Sequence, residues 1–153
     1  MGYRCDITNT KNCRLTIKKI LKDLKEIDFI VFAHGVGGIT PIGEINEIIW
    51  DKMFDTNLKF AFFFAQEITK IMKKQHRGKI IFVSSIHAKK TYEDRLVYAA
   101  TKAALESVTR SMSIDLAKYN ISVNAIAPGQ LMTDMQTESV SYTHLRAHET
   151  RHD

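Results

Sequence analysis

Three short apolar runs, separated by long stretches of helical periodicity, constrain this chain more than any other feature. Phe29 to Phe32, Lys79 to Val83 and Ile121 to Ile126 are rich in β-branched and aromatic residues and too short for core helices, and the first reads as a strand buried on both faces. Between them, residues from about Glu44 to Lys74 and from about Val97 to Tyr119 read as helices, the former in two pieces. Ahead of the first run, Tyr3 to Cys5 reads as the end of a strand, Asp6-Ile7-Thr8 as a turn, and Leu15, Ile20, Leu21 and Leu24 as the apolar stripe of a helix. Strands alternating with helices specify an α/β fold with a parallel, two-sided sheet.

Composition narrows the function classes. A chain of 153 residues with 44% apolar and 25% charged residues has the makeup of one ordinary globular domain. The net charge of +5 is scattered over pairs such as Lys18-Lys19, Lys73-Lys74 and Lys89-Lys90, without an aromatic-rich basic stripe, which argues against a nucleic-acid partner. No apolar stretch near the start is long enough for a signal peptide or membrane span, so no membrane partner and a cytoplasmic address are expected. No metal or redox spacing joins Cys5 and Cys13, and reduced thiols are expected of them.

The candidate chemistry lies in four residues: Asn57, Ser85, Tyr98 thirteen positions later, and Lys102 four positions after that. A Tyr and a Lys at i and i+4 share one helix face. An ammonium beside a phenol favours phenolate, suiting the pair to exchange a proton with a substrate oxygen. Ser85 ends the run Ile80-Ile81-Phe82-Val83-Ser84-Ser85, so its hydroxyl stands at the carboxyl edge of a sheet, where open α/β folds bind ligands. Ser84 competes for that role, and the thirteen-residue spacing to Tyr98 favours Ser85.

Tyr-x-x-x-Lys alone is weak evidence; the surrounding runs are specific. Gly78-Lys79-Ile80-Ile81-Phe82-Val83-Ser84-Ser85, Tyr98-Ala99-Ala100-Thr101-Lys102-Ala103-Ala104-Leu105 and Ser122-Val123-Asn124-Ala125-Ile126-Ala127-Pro128-Gly129 resemble, in sequence and order, the short-chain dehydrogenase/reductase family. The resemblance implies hydride transfer between NAD or NADP and a small carbonyl or alcohol substrate, with a 3-oxoacyl thioester or a sugar/polyol as the first classes to test. It implies Tyr98 as general acid or base, Lys102 on the nicotinamide ribose, Ser85 on the substrate oxygen, and Asn57 at a helix kink holding a relay water. Asp6 and Ile7 resemble adenine-contacting positions, with an N-cap or turn role as the alternative for Asp6. Gly35 resembles a cofactor-loop glycine, and Pro128, Gly129 and Thr133 resemble the loop that meets the nicotinamide carboxamide. No metal is implied. The family also packs the phenylalanine-rich helix against another subunit, so a homo-oligomer is expected.

The chain departs from the family in two places. Phe32-Ala33-His34-Gly35 stands where the family has Asn-Asn-Ala-Gly, and His34 reads as a packed or solvated loop residue, with a compensating bond or a cofactor contact as the alternative. His87 is a weaker candidate for the substrate side. No Thr-Gly-x-x-x-Gly-x-Gly turn precedes the first helix, and Gly35-Val36-Gly37-Gly38 follows the wrong strand to replace it. The resemblance thus covers Tyr3 to about Met135 as an incomplete Rossmann-like, doubly wound sheet, lacking the family's first two strands and its last. Met1 is expected to be an internal start and the chain alone to be inactive; a non-catalytic Rossmann-like binding or scaffold fragment is the alternative.

The end of the chain is expected to be foreign. Residues 140–150, Val-Ser-Tyr-Thr-His-Leu-Arg-Ala-His-Glu-Thr, resemble the in-frame translation of a transposase adapter from sequencing libraries. Residues 1–138 are therefore expected to be the partial dinucleotide-binding domain and 139–153 a disordered, artefactual tail. His144 and His148, spaced like ligands on a helix face, are discounted as a metal site for the same reason.

Overall fold

A computed structural model of the chain describes residues 2–7 and 9–129. Thr133 and the expected boundary at Glu138 lie outside them. The element order is α1 (Thr10–Asp23), β1 (Phe29–Phe32), α2 (Glu47–Phe54), a π turn (Asp55–Lys59), α3 (Phe60–Gln75), β2 (Gly78–Val83), α4 (Leu96–Ala117) and β3 (Ile121–Ile126), with short 3-10 turns at Ile42–Glu44 and Ile86–Ala88. The three strands form one parallel sheet in the order β1-β2-β3. The architecture is α/β, a partial Rossmann-like fold.

Local chemistry fixes the element ends. Asn9 caps α1 by accepting the Asn12 amide at 3.0 Å, and Asn46 caps α2 by accepting the Ile49 amide at 3.0 Å. The cap of α1 is therefore Asn9 and not Asp6, whose carbonyl instead accepts the Asn9 amide. At the end of α3, His76 adopts a left-handed conformation (φ 53°) that turns the chain toward β2. Gln75 secures the approach to β1: its side chain accepts the Ile27 amide at 2.9 Å and donates to the Ile27 carbonyl at 3.1 Å.

Register decides where the core sits. Ile30 pairs with Ile80, Phe32 with Phe82, and Ile80 in turn with Val123, so these side chains share one face. Ala61, Ala65, Ile68 and Met72 of α3 and Leu105, Met112 and Leu116 of α4 bury that face, with Ile80 and Phe82 fully excluded from solvent. The Phe32 ring stacks on Phe82 (4.9 Å) and meets Phe64 edge-on (5.8 Å). Not every phenylalanine of α3 is core, for Phe63 is exposed. α1 packs on α3, with Cys13 and Ile17 buried and Leu21 against the core.

Two expectations change. Tyr3 to Cys5 is not a strand, because a strand needs a ladder partner and none stands beside it among the described residues. The run Phe29 to Phe32 forms its strand but is not buried on both faces: Phe29 and Val31 remain exposed, as does Ile126 of β3. Among the described residues the helices packed on the core cover one face only, and alternate β1 side chains point to the other. Val31→Lys is therefore expected to change stability by less than about 1 kcal/mol, since a lysine on an edge strand keeps its ammonium in water. Urea unfolding checks this; a loss above about 3 kcal/mol would mean that this face is covered.

Candidate active site

Ser85, Tyr98, Lys102 and Asn57 converge beyond the carboxyl ends of β1 and β2. Strand alternation separates the two serines. Ser84 Oγ turns toward α4, donating to Glu106 Oε1 (3.2 Å) and lying 3.4 Å from the Lys102 carbonyl. Ser85 points the other way and caps the turn Ile86–Ala88, its Oγ accepting the His87 amide at 3.3 Å. Among the described residues nothing accepts the Ser85 hydroxyl hydrogen, which leaves it for a ligand oxygen.

On α4, Tyr98 and Lys102 stand one turn apart. Lys102 is buried (3% exposed); its Nζ donates to the Val83 carbonyl at 2.8 Å and lies 5.7 Å from the centre of the Tyr98 ring. Among the described residues no carboxylate pairs with it. Burial pushes the lysine down to about 8. The folded state thus binds this proton less tightly than the unfolded chain, whose lysine titrates near 10.5. The charged ammonium costs stability below about pH 8, and the cost is relieved as the pH rises toward about 10.5. Stability should rise by up to about 3 kcal/mol across that window. Cys13, raised to about 11 mainly by burial, acts oppositely in an overlapping range. Comparison with Lys102→Met isolates the lysine: urea unfolding at about pH 7.5 and about pH 10 should show the upward slope only in the parent chain.

Asn57 sits in the π turn Asp55–Lys59, where five residues wind one turn and the Phe60 amide reaches back to the Asp55 carbonyl. The widened turn aims Asn57 inward, 1% exposed, with both amide hydrogens engaged. Oδ1 accepts the Val36 amide at 2.8 Å, while Nδ2 donates to the Val36 carbonyl (2.9 Å) and to Thr101 Oγ1 (3.1 Å). Thr101 donates onward to the Tyr98 carbonyl at 2.7 Å. One chain of hydrogen bonds therefore runs from the loop after β1, through the π turn, to the helix turn that carries Tyr98. Gly35 completes the enclosure, because a Cβ there would lie 3.4 Å from Lys102 Nζ and 3.5 Å from Asn57 Oδ1.

His34 is a packed loop residue that bonds the π turn. Its Nε2 donates to the Thr56 carbonyl at 3.0 Å, and its ring meets Phe60 edge-on at 4.9 Å. Burial, with a smaller push from the Lys102 charge, holds His34 below the usual histidine value. It thus ties the loop to the π turn where the family's asparagine is absent. Thr56 Oγ1 is buried without a partner among the described residues, an uncompensated cost of this turn.

The remaining positions lie farther out. Pro128 joins the loop after β3 to that after β2, its carbonyl accepting the Ile86 amide at 3.1 Å, and Gly129 is exposed beside it. Asp6 and Ile7 lie in the short segment before α1, where the Asp6 carbonyl accepts the Asn9 amide and the Cys13 thiol, each at 3.3 Å. Sequence reasoning missed Thr101, although it stands inside the run that carries the family resemblance. His87, weakly suspected, meets the Tyr98 ring edge-on at 5.7 Å and that of Tyr92 at 5.4 Å. Burial, with help from Arg95, lowers its basicity, which favours a neutral imidazole. A cleft of about 540 Å³ between Arg77 and Ser122 lies at the opposite, amino end of β2 and β3. Its Arg77 is already paired with Asp28 and Glu26, and it holds none of these residues.

The chain resembles known proteins in sequence and fold. The profile of the short chain dehydrogenase family matches residues 1–143, and the chain belongs to that family. It is 35% identical over 136 residues to the 2-dehydro-3-deoxy-D-gluconate 5-dehydrogenase of Pseudoalteromonas atlantica, covering 87% of this chain and 52% of the relative. It is 39% identical over 138 residues to the sorbitol-6-phosphate 2-dehydrogenase of Klebsiella pneumoniae, covering 84% and 52%. The crystal structure of a gluconate 5-dehydrogenase from Burkholderia cenocepacia, in complex with NADP and tartrate, superposes with a TM-score of 0.83 at 28% identity, over 88% of this chain and 53% of that one. The chain spans about half the length of the curated relatives it matches.

Proposed function

We propose that the protein is an oxidoreductase that moves hydride between a nicotinamide dinucleotide and a carbinol or carbonyl carbon of a sugar acid or polyol. The observation that carries this reading is the juxtaposition of the unclaimed Ser85 hydroxyl, the Tyr98 phenol and the buried, unpaired Lys102 ammonium at the carboxyl end of a parallel sheet. The substrate class is supported by the relatives, which are named for gluconate derivatives and a phosphorylated polyol.

Ser85 donates its hydroxyl hydrogen to the substrate oxygen and fixes it within reach of Tyr98. Tyr98 takes the hydroxyl proton during oxidation and returns it during reduction. The Lys102 ammonium stabilises the negative charge that forms on the Tyr98 oxygen. When bound, the dinucleotide supplies the hydride acceptor or donor. The residues fit it: Gly35 leaves open the space where a Cβ would stand against Lys102, and one hydrogen bond to Val83 leaves the ammonium two hydrogens for ribose hydroxyls. Asn57 holds the loop wall and, in this reading, a relay water. Asp6 and Ile7 meet the adenine, and Pro128, Gly129 and Thr133 meet the carboxamide. The exposed Phe63 of α3 contributes to a subunit contact.

The pyrophosphate-binding glycine turn is not among these 153 residues, so the proposed activity is that of a protein carrying such a turn, and none is assigned to this stretch alone. The test follows nicotinamide absorbance with gluconates, phosphorylated polyols and a simple secondary alcohol, using NAD and NADP in turn. Turnover with the first two classes is the expected result; no turnover with any pairing overturns the reading.

A further inference from the structure

Cys5 and Cys13 share no motif spacing and take no part in the site above, yet the fold brings their sulfurs together. Cys5 lies half-buried in the irregular segment before α1, and Cys13 is buried in the first turns of α1. Their Sγ atoms are 3.8 Å apart. The segment is already strapped to the helix: the Cys13 thiol donates to the Asp6 carbonyl at 3.3 Å, the Asn9 amide donates to the same carbonyl at 3.3 Å, and Tyr3 Oη donates to Asp23 Oδ2 at 2.9 Å.

We infer that Cys5 and Cys13 form a reversible dithiol/disulfide site that, when oxidised, staples the segment carrying Asp6 and Ile7 to α1. A disulfide bond is about 2 Å long, so the sulfurs must approach by roughly 2 Å. Cys5 lies outside helix and sheet, where side-chain rotation and a small backbone shift supply that movement.

The chemistry balances with a small-molecule disulfide such as oxidised glutathione as oxidant. The Cys5 thiolate, on the more exposed sulfur, attacks the oxidant, breaks its S–S bond and releases one glutathione thiolate. Cys13 then loses its proton to solvent, attacks Cys5 Sγ and expels the second glutathione. Two protein thiols thereby give up two electrons and two protons, and the oxidant becomes two thiols. Burial, the hydrogen bond to Cys5 and the nearby Asp6 carboxylate raise the Cys13 thiol to about 11, so closure is the slower step and quickens with pH. The consequence for adenine binding rests on the function proposed above; formation of the bond does not.

The test incubates the folded chain in glutathione buffers of increasing oxidised fraction, quenches with acid, unfolds the chain in denaturant containing N-ethylmaleimide so that the buried Cys13 is accessible, and reads intact mass and peptide maps. The expected result is joint loss of both alkylation sites, a mass lower by two hydrogens, a linked Cys5–Cys13 peptide, and reversal by dithiothreitol. Cys5→Ser, at a half-buried position of matching size, should keep its fold and one alkylated thiol and give no linked product. Persistent alkylation of both cysteines, a glutathione adduct on Cys5 that never resolves, or a link between two chains overturns the inference. No outcome depends on catalysis, so failure here and failure of the oxidoreductase reading are separable.

Discussion

Tyr98→Phe is expected to lower kcat/KM for carbinol oxidation by about a thousandfold or more while leaving stability within about 0.5 kcal/mol. The two halves of that expectation come from different atoms. The ring contributes packing, lying edge-on to His87 at 5.7 Å and beneath Lys102 Nζ at 5.7 Å, and phenylalanine preserves both contacts. The phenol oxygen makes no hydrogen bond among the described residues, so its removal strands no partner. What is lost is the group that exchanges the substrate proton, and general acid-base catalysis of this type supplies about 10² to 10⁴ in rate. Dinucleotide affinity should stay within about threefold, because Lys102 keeps its bond to Val83 and its remaining hydrogens. Steady-state kinetics beside fluorescence titration of the dinucleotide separates the outcomes. A variant retaining a tenth of the activity would remove Tyr98 from the reaction, and one that fails to bind dinucleotide would make it a binding residue.

The sequence makes some of this site legible and hides the rest for identifiable reasons. The strand at Phe29–Phe32 is readable to the residue because a continuous apolar run reports burial, and that at Ile121–Ile126 because Ile121, Val123 and Ala125 alternate with Ser122 and Asn124. α4 is readable to within two residues at either end, and the break in the long helix before Phe60 is readable because an interior asparagine is unfavourable there. That Ser84 and Ser85 face opposite ways is also legible, because strand alternation must send neighbours to opposite faces. Hidden were contacts that cross between elements. Thr101 joins Asn57 across 44 positions of chain, and a threonine on an inner helix face carries no local mark of its partner. Cys5 and Cys13 meet only because the segment before α1 folds back along that helix. The exposed alternate face of β1 was hidden as well, since an apolar run states a preference for burial and not what stands opposite it.

Asn57→Leu should cost about 3 to 5 kcal/mol, a large fraction of the stability of a domain this size. Leucine approximates the volume of the side chain, so the cost arises from partners left behind rather than from a cavity. The Val36 amide and carbonyl lose their bonds of 2.8 and 2.9 Å, and Thr101 Oγ1, in a residue fully excluded from solvent, loses the donor at 3.1 Å. Each stranded group in a water-poor setting costs about 1 to 3 kcal/mol; Val36, half-buried, recovers part of its loss by turning to water. That recovery moves the loop, Gly35 included, away from Lys102, so the dinucleotide KM should rise together with the fall in stability. Thr101→Val is the graded control: it removes one link of the network and its bond to the Tyr98 carbonyl while leaving Asn57 on Val36, and should cost about 1 to 2 kcal/mol. Urea unfolding measures both costs, and amide exchange at Val36 locates the first. A variant in which the Val36 amide stays protected and stability falls by less than about 1 kcal/mol would mean that the loop is held by something other than the asparagine.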